Sequence, residues 1–109
     1  MTDFLVVLVT AASAEEAERL ARDLVDHRLA ACVNRISPIE SIYRWQGKIE
    51  KSKEELLLIK THQSLFPQLE KRVREIHSYE VPEIIALPLI AGSDAYLKWL
   101  GEQVAVGGS

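Results

Sequence analysis

The chain carries four β-rich runs and two amphipathic stripes in the order β-α-β-β-α-β, with Gln46-Gly47 between the two middle runs. These observations predict an α+β domain of the ferredoxin-like, split βαβ class. It would be a sandwich with a long central β-hairpin and a short C-terminal helix. The 109 residues suit one domain, residues 1–109, and are too few for two cores. Its ordered core is expected over about residues 3–104.

Phe4-Leu5-Val6-Val7-Leu8-Val9-Thr10 is β-branched-rich and free of polar interruption. That suits a strand covered on both faces, or one whose second face is an assembly contact. Ser13 and Glu16 form a capping box, each side chain satisfying a backbone N–H at a helix start. Ala17, Leu20, Ala21, Leu24 and Val25 then recur at helical spacing, and the helix is expected to end around His27 to Leu29. From Ala31 the pattern turns extended. Cys32 to Ile36 and Ile39 to Trp45 are strand-like, and Ser37-Pro38 marks a bend or bulge because proline cannot donate to a ladder.

Gln46-Gly47 is the hairpin tip, the glycine supplying a positive φ. The return arm runs Lys48 to Lys60 and is most apolar at Leu56-Leu57-Leu58-Ile59. Phe66, Leu69, Val73 and Ile76 give the second helix, with Ser64 expected as its cap and Pro67 tolerated in its first turn. His77 to Pro82 is a connection in which Pro82 keeps Val81 out of helical geometry. Glu83 to Leu89 is a short strand. Ser93 caps a last helix through Leu100, with Tyr96, Leu97 and Leu100 on its apolar side, and the tail is expected to fray beyond Val106.

Acidic residues outnumber basic ones 16 to 13, for a net charge of −3, and the bases are scattered. With no basic run and no aromatic-and-basic strand, no nucleic-acid partner is expected. The apolar run Phe4 to Ala12 is too short to span a bilayer and follows Asp3. Neither membrane insertion nor a secretory signal is expected. The single Cys32 excludes an internal disulfide framework and fits a reducing compartment, so cytoplasm is the expected location.

Each hairpin arm, about 13 residues long, would reach about 40 Å. A compact chain of this length is roughly 34 Å across. The outer arms, with Ile42, Tyr43, Trp45 and Ile49, would have little of their own chain to pack on and would present open strand edges. A cyclic homo-oligomer resolves this; a hairpin curled over its own sheet is the alternative.

No Cys-x-x-Cys, His-Glu-x-x-His, Gly-x-Ser-x-Gly or phosphate-gripping loop occurs, so no side-chain catalytic centre is expected. Cys32 reads either as a small buried hydrophobe or as a soft thiolate ligand for copper or zinc. His77, beside Tyr79, Glu80 and Glu83 in a loop feeding a strand, reads as a ligand or as a loop-fixing residue. Trp45, with Tyr43 and Arg44, could meet something planar or anionic, or a neighbouring subunit. Lys60 and Glu83 could pair across adjacent strands or frame a pocket.

Arg28-Leu29-Ala30-Ala31-Cys32-Val33-Asn34, Ser41 to Ile49, Leu58-Ile59-Lys60-Thr61, His77 to Pro88 and Tyr96 to Leu100 together resemble the divalent-ion tolerance protein family, CutA. The likeness runs from Phe4 to Leu100. It implies a ferredoxin-like subunit in a tight homotrimer, the hairpin extending its sheet onto the next subunit. It also implies tolerance of divalent metals, copper especially, and sensing or signal transfer in place of catalysis. Cys32 matches the family's most often retained cysteine, with which copper binding is associated; Val9 stands where some bacterial members have another.

His77 matches the histidine of the family's His-Pro-Tyr-x-x-Pro segment, with Ser78 in place of the proline. Trp45, Lys60, Tyr79 and Glu83 match positions lining a cleft between subunits, where Lys60 would hold a small anion and Glu83 a divalent ion. The implied metal set is Cys32, His77 and Glu83, and the implied small-ligand set is Trp45, Lys60 and Tyr79. An unidentified protein partner is also implied. Two alternatives stand beside this reading: a structural or anchoring module without a ligand, and an enzyme with an intersubunit active site.

Overall fold

The strands β1 (Phe4–Ala11), β2 (Cys32–Trp45), β3 (Lys48–His62) and β4 (Ile84–Pro88) alternate with the helices α1 (Ala14–Asp26), α2 (Phe66–Ile76) and α3 (Asp94–Gln103) in the predicted order. The computed structural model describes residues 1–105, and the fraying expected from Val106 onward lies outside them. The four strands form one antiparallel sheet in the order β2-β3-β1-β4.

One face of the sheet carries Val7, Val9, Leu57 and Ile59, which meet Leu20 and Leu24 of α1 and Leu69 and Val73 of α2 in a core with no exposed surface. Each of those leucines contributes about 1.5–3 kcal/mol by leaving water. Alternation along the strands sends Val6, Leu8, Leu56 and Leu58 to the opposite face, where they are only half-buried. Ile36, Ile85 and Leu87 are more exposed still. One copy of the chain therefore leaves the second face of β1 partly bare.

The hairpin joining β2 and β3 sets the shape. The molecule measures 44 Å along its longest axis and 26 × 21 Å across the others. Both turn residues have positive φ, Gln46 at 50° and Gly47 at 80°, the type I′ geometry that matches the twist of paired strands. The expected irregularity at Ser37-Pro38 is a one-residue bulge: Ile36 faces Leu56, but Ile39 faces Glu54.

Helix α1 ends and α3 starts as expected, and the start of α2 differs. α1 closes with Leu29 N–H donating to Leu24 and Arg28 N–H to Val25, Arg28 taking φ 57° where glycine is usual. Ser64 does not cap α2. It lies in a 3-10 turn over Gln63–Leu65, and its N–H is taken by the His62 ring, so α2 starts at Phe66 without a side-chain cap. Ser93 does cap α3, accepting from Tyr96 N–H. Tyr96 itself stays exposed, however, while Leu97 and Leu100 pack inward.

Candidate functional site

The connection between α2 and β4 is fixed from behind by two buried polar side chains. His77 ends α2. Its Nε2 lies 2.7 Å from the Thr10 carbonyl, which can only accept, so Nε2 carries the proton. Nδ1 is then the acceptor for Tyr79 N–H at 3.0 Å. Both ring nitrogens are spent, and ligation of a metal by His77 would first break one of these bonds.

Glu16, from the first turn of α1, accepts from Ser78 N–H at 2.7 Å, from the Ser78 hydroxyl at 3.0 Å and from Ala12 N–H at 3.2 Å. Burial alone would raise its carboxyl. The Ser78 and Ala12 bonds outweigh burial and hold it below the usual carboxylate range.

Held this way, Tyr79 points over the sheet and donates to Glu54 Oε2 at 2.7 Å. Burial and that bond to a carboxylate raise the phenol well above its ordinary range, so Tyr79 stays protonated at any physiological pH. Tyr43 and Trp45 stand on the same sheet face as Glu54, because the bulge shifts the alternation of β2 by one residue. Between them and the loop opens a groove of about 560 Å³. Glu54 is at its buried floor, Glu80 and Glu83 lie on its exposed rim, and Tyr43, Trp45 and Tyr79 form aromatic walls. Trp45, Tyr79 and Glu83, three of the predicted site residues, thus share one groove.

Cys32 and Lys60 do not. They face each other across β2 and β3. The Lys60 ammonium donates to Asn34 Oδ1, and Cys32 Sγ is 3.9 Å from that oxygen. Tyr96 of α3 stands beside them, its phenol raised by burial and then by Cys32. Lys60 is twelve strand residues from Lys48, the partner of Trp45. That is about 40 Å at 3.3 Å per residue, nearly the length of the molecule. Nor do Lys60 and Glu83 pair across neighbouring strands, since β1 lies between β3 and β4.

Among the described residues, no three His, Cys, Asp or Glu side chains converge closely enough to hold one ion. With His77 engaged, and Cys32 opening β2 while Glu83 precedes β4, the two opposite edge strands of the sheet, the donors described in a single copy do not fit a bound metal.

Two residues of this site were not singled out in the sequence. Glu16 reads there only as half of a capping box, and Glu54 only as part of the return arm Lys48 to Lys60. The signal for Glu54 was its position two residues before the apolar run Leu56-Leu57-Leu58-Ile59. The bulge then decides which face it shares.

Residues 5–103 match the family described as CutA1 divalent ion tolerance protein. The divalent-cation tolerance protein CutA of Thermus thermophilus is 52% identical over 97 residues, covering 89% of this chain and 94% of that protein. The chloroplastic protein CutA of Arabidopsis thaliana is 51% identical over 96 residues, 88% of this chain. This chain spans only 53% of that relative's length. A solved Thermus thermophilus divalent cation tolerance protein superposes with a TM-score of 0.91 at 50% identity, covering 93% of this chain and 98% of that one. A periplasmic divalent cation tolerance protein CutA from Archaeoglobus fulgidus gives a TM-score of 0.90 at 40% identity, covering 92% and 97%.

Proposed function

The chain belongs to the CutA1 divalent ion tolerance protein family, and from that premise we propose that it works as a homotrimer that binds a cation or small ligand between subunits and serves the response to divalent metals. The observation that carries the reading is the sheet's outer face. Ile36, Ile85 and Leu87 are each about half exposed, on the same side as the half-buried Val6, Leu8, Leu56 and Leu58. A contiguous apolar surface of this kind is an interface in the making.

Three ferredoxin-like sheets packed outer face to outer face would cover it. They would also shelter Tyr43 and Trp45, which stand exposed on the same face at the hairpin end. Such packing can bring the Cys32–Lys60 end of one copy toward the groove of the next; within one copy Lys60 is six strand residues, about 20 Å, from the groove floor at Glu54. Metal donors that do not converge within a subunit would then converge between subunits.

Cys32 is the one thiol in the chain and, as a soft donor, favours copper among the divalent and monovalent candidates. Glu83 is the accessible hard donor, Lys60 the counter-charge for an anion, and Trp45 and Tyr79 the walls of the small-ligand part. His77 serves by fixing the loop. A half-buried free thiol favours a reducing compartment, and the cytoplasm is the location we propose. Signalling to a protein partner would follow from binding, without chemistry on the ligand.

Light scattering on the eluting protein tests the assembly and copper titration tests the site. The wild type is expected at the mass of three copies, and Leu87→Glu at the mass of one. Saturable copper binding should disappear in Cys32→Ser. A natively folded wild type at the mass of one copy would refute the proposal.

A further inference from the structure

The groove beneath the hairpin has a chemistry of its own, and it differs from that of a metal site. We propose that it takes an organic cation, an ammonium or guanidinium group on a short carbon chain. This deepens the reading that the groove is a ligand site and rests on it.

Charge is the first ground. Glu54, Glu80 and Glu83 belong to the lining, and no Lys, Arg or His does. Lys48 stands across from Trp45 at the hairpin end but outside the lining. Among the described residues, none of the three carboxylates takes part in an ion pair; those pairs involve Glu16, Glu18, Asp23, Glu40 and Glu70.

Glu54 makes the point strongest. It is only 8% exposed, and its hydrogen bond comes from a neutral phenol. A carboxylate withdrawn from water without a counter-charge is costly, and a cation entering the groove would supply one.

The walls are the second ground. Tyr43, Trp45 and Tyr79 offer three aromatic faces, whose negative quadrupoles attract ammonium and guanidinium groups. A hydrated metal ion gains little from such faces.

Size is the third. The groove holds about 560 Å³, within the range of roughly 300–1,000 Å³ typical of small-organic-molecule sites. A bare ion needs donors converging to roughly 2.0–2.6 Å, and among the described residues no such group exists. A carbon chain can span what an ion cannot. With one carboxylate at the floor and two on the rim, a short diamine can be held at both ends.

The test uses the full chain in its native assembly, titrated calorimetrically with 1,4-diaminobutane. Its neutral counterpart 1,4-butanediol and copper(II) chloride are titrated in parallel. Trp45 fluorescence in a Trp99→Phe background gives a second readout. Saturable diamine binding is expected, with the diol weaker by about tenfold or more and affinity falling as salt rises. Glu54→Gln should weaken the diamine by about tenfold and Trp45→Leu by roughly threefold to tenfold. Should Glu54→Gln fail to fold, the exposed Glu80→Gln should still weaken it by about threefold.

Equal affinity for diol and diamine overturns the inference. So does an absence of diamine binding while copper still titrates in a Glu83-dependent way, which leaves the metal reading of the groove standing. If neither the diamine nor copper binds the assembled protein, both readings fall together.

Discussion

Replacing Glu16 by glutamine tests whether the groove depends on a brace hidden behind it. Glu16 is 4% exposed and accepts three hydrogen bonds, from Ala12 N–H, Ser78 N–H and the Ser78 hydroxyl. Glutamine keeps the shape but leaves one oxygen and turns an NH₂ toward a donor, so at least one buried N–H loses its acceptor. Together with the charge lost from the remaining bonds, that puts the expected cost in the upper part of the range of about 1–3 kcal/mol, at about 2–3 kcal/mol. At roughly 4 °C per kcal/mol for a domain of this size, Tm should fall by about 8–12 °C.

The sign of the pH dependence follows from the depressed folded-state pKa of Glu16. Its stabilisation is complete above the unfolded value of about 4.3 and is lost as pH falls through the lower folded value. The gap between wild type and Glu16→Gln should therefore be full at pH 7 and narrow below about pH 4. Urea unfolding at one fixed protein concentration measures it, since assembly adds stability by mass action. The exposed neighbour Glu15→Gln serves as control. A Glu16→Gln variant within about 0.5 kcal/mol of wild type at pH 7, or a gap that widens in acid, would refute the reasoning.

Arg72 grips Asp23 through two bonds of 2.7 and 2.8 Å, and these bonds first of all hold the Asp23 carboxyl below its ordinary value. Because the pair is partly exposed and screened by solvent, Arg72→Ala should lower the urea midpoint at pH 7 only modestly. That difference should fade as pH drops through the lowered Asp23 value. Leu24→Ala removes a side chain with no exposed surface from between α1 and the sheet. Its expected cost is about 2–5 kcal/mol, read from the urea midpoint. At the hairpin turn, Gly47→Ala forces a Cβ onto a φ of 80° and should cost about 1 kcal/mol. Gln46→Asn suits the neighbouring positive φ better and should raise Tm slightly.

The order of elements was legible because each has a strong local signature. The β-branched run at Phe4 to Thr10, the Ser13–Glu16 cap and the Gln46-Gly47 turn all stand where the sequence puts them. What local signals missed was decided by the surrounding structure. Ser64 is a good cap by type, yet it lies inside a 3-10 turn that the His62 side chain, two residues before it, already caps. Arg28 gives no glycine signal for the end of α1, yet it adopts the left-handed conformation; its guanidinium also reaches the Glu102 carbonyl, 74 residues away. Lys60 and Glu83 look like partners when β3 and β4 are imagined side by side, but the strand order inserts β1 between them. His77 was legible as a residue of consequence. That both of its nitrogens are spent became visible only with Thr10 in place.

The bulge at Ser37-Pro38 ties these pieces together. Side chains on a strand alternate, so without an extra residue Cys32, Asn34 and Ile36 would share a face with Ile42 and Arg44, and Tyr43 and Trp45 would point to the helix side. One inserted residue reverses the parity of the outer half of β2 while β3 continues unbroken opposite it. Tyr43 and Trp45 therefore join Glu54 on the outer face, and the same face carries Cys32 and Lys60 at the far end. A proline in mid-strand, which looks like damage to the ladder, thus determines that the thiol, the ammonium, the aromatic groove and the bare apolar surface all lie on one side of the sheet. That is the side a neighbouring copy would have to cover, so in the proposed assembly the same packing that hides the apolar residues would also wall the groove.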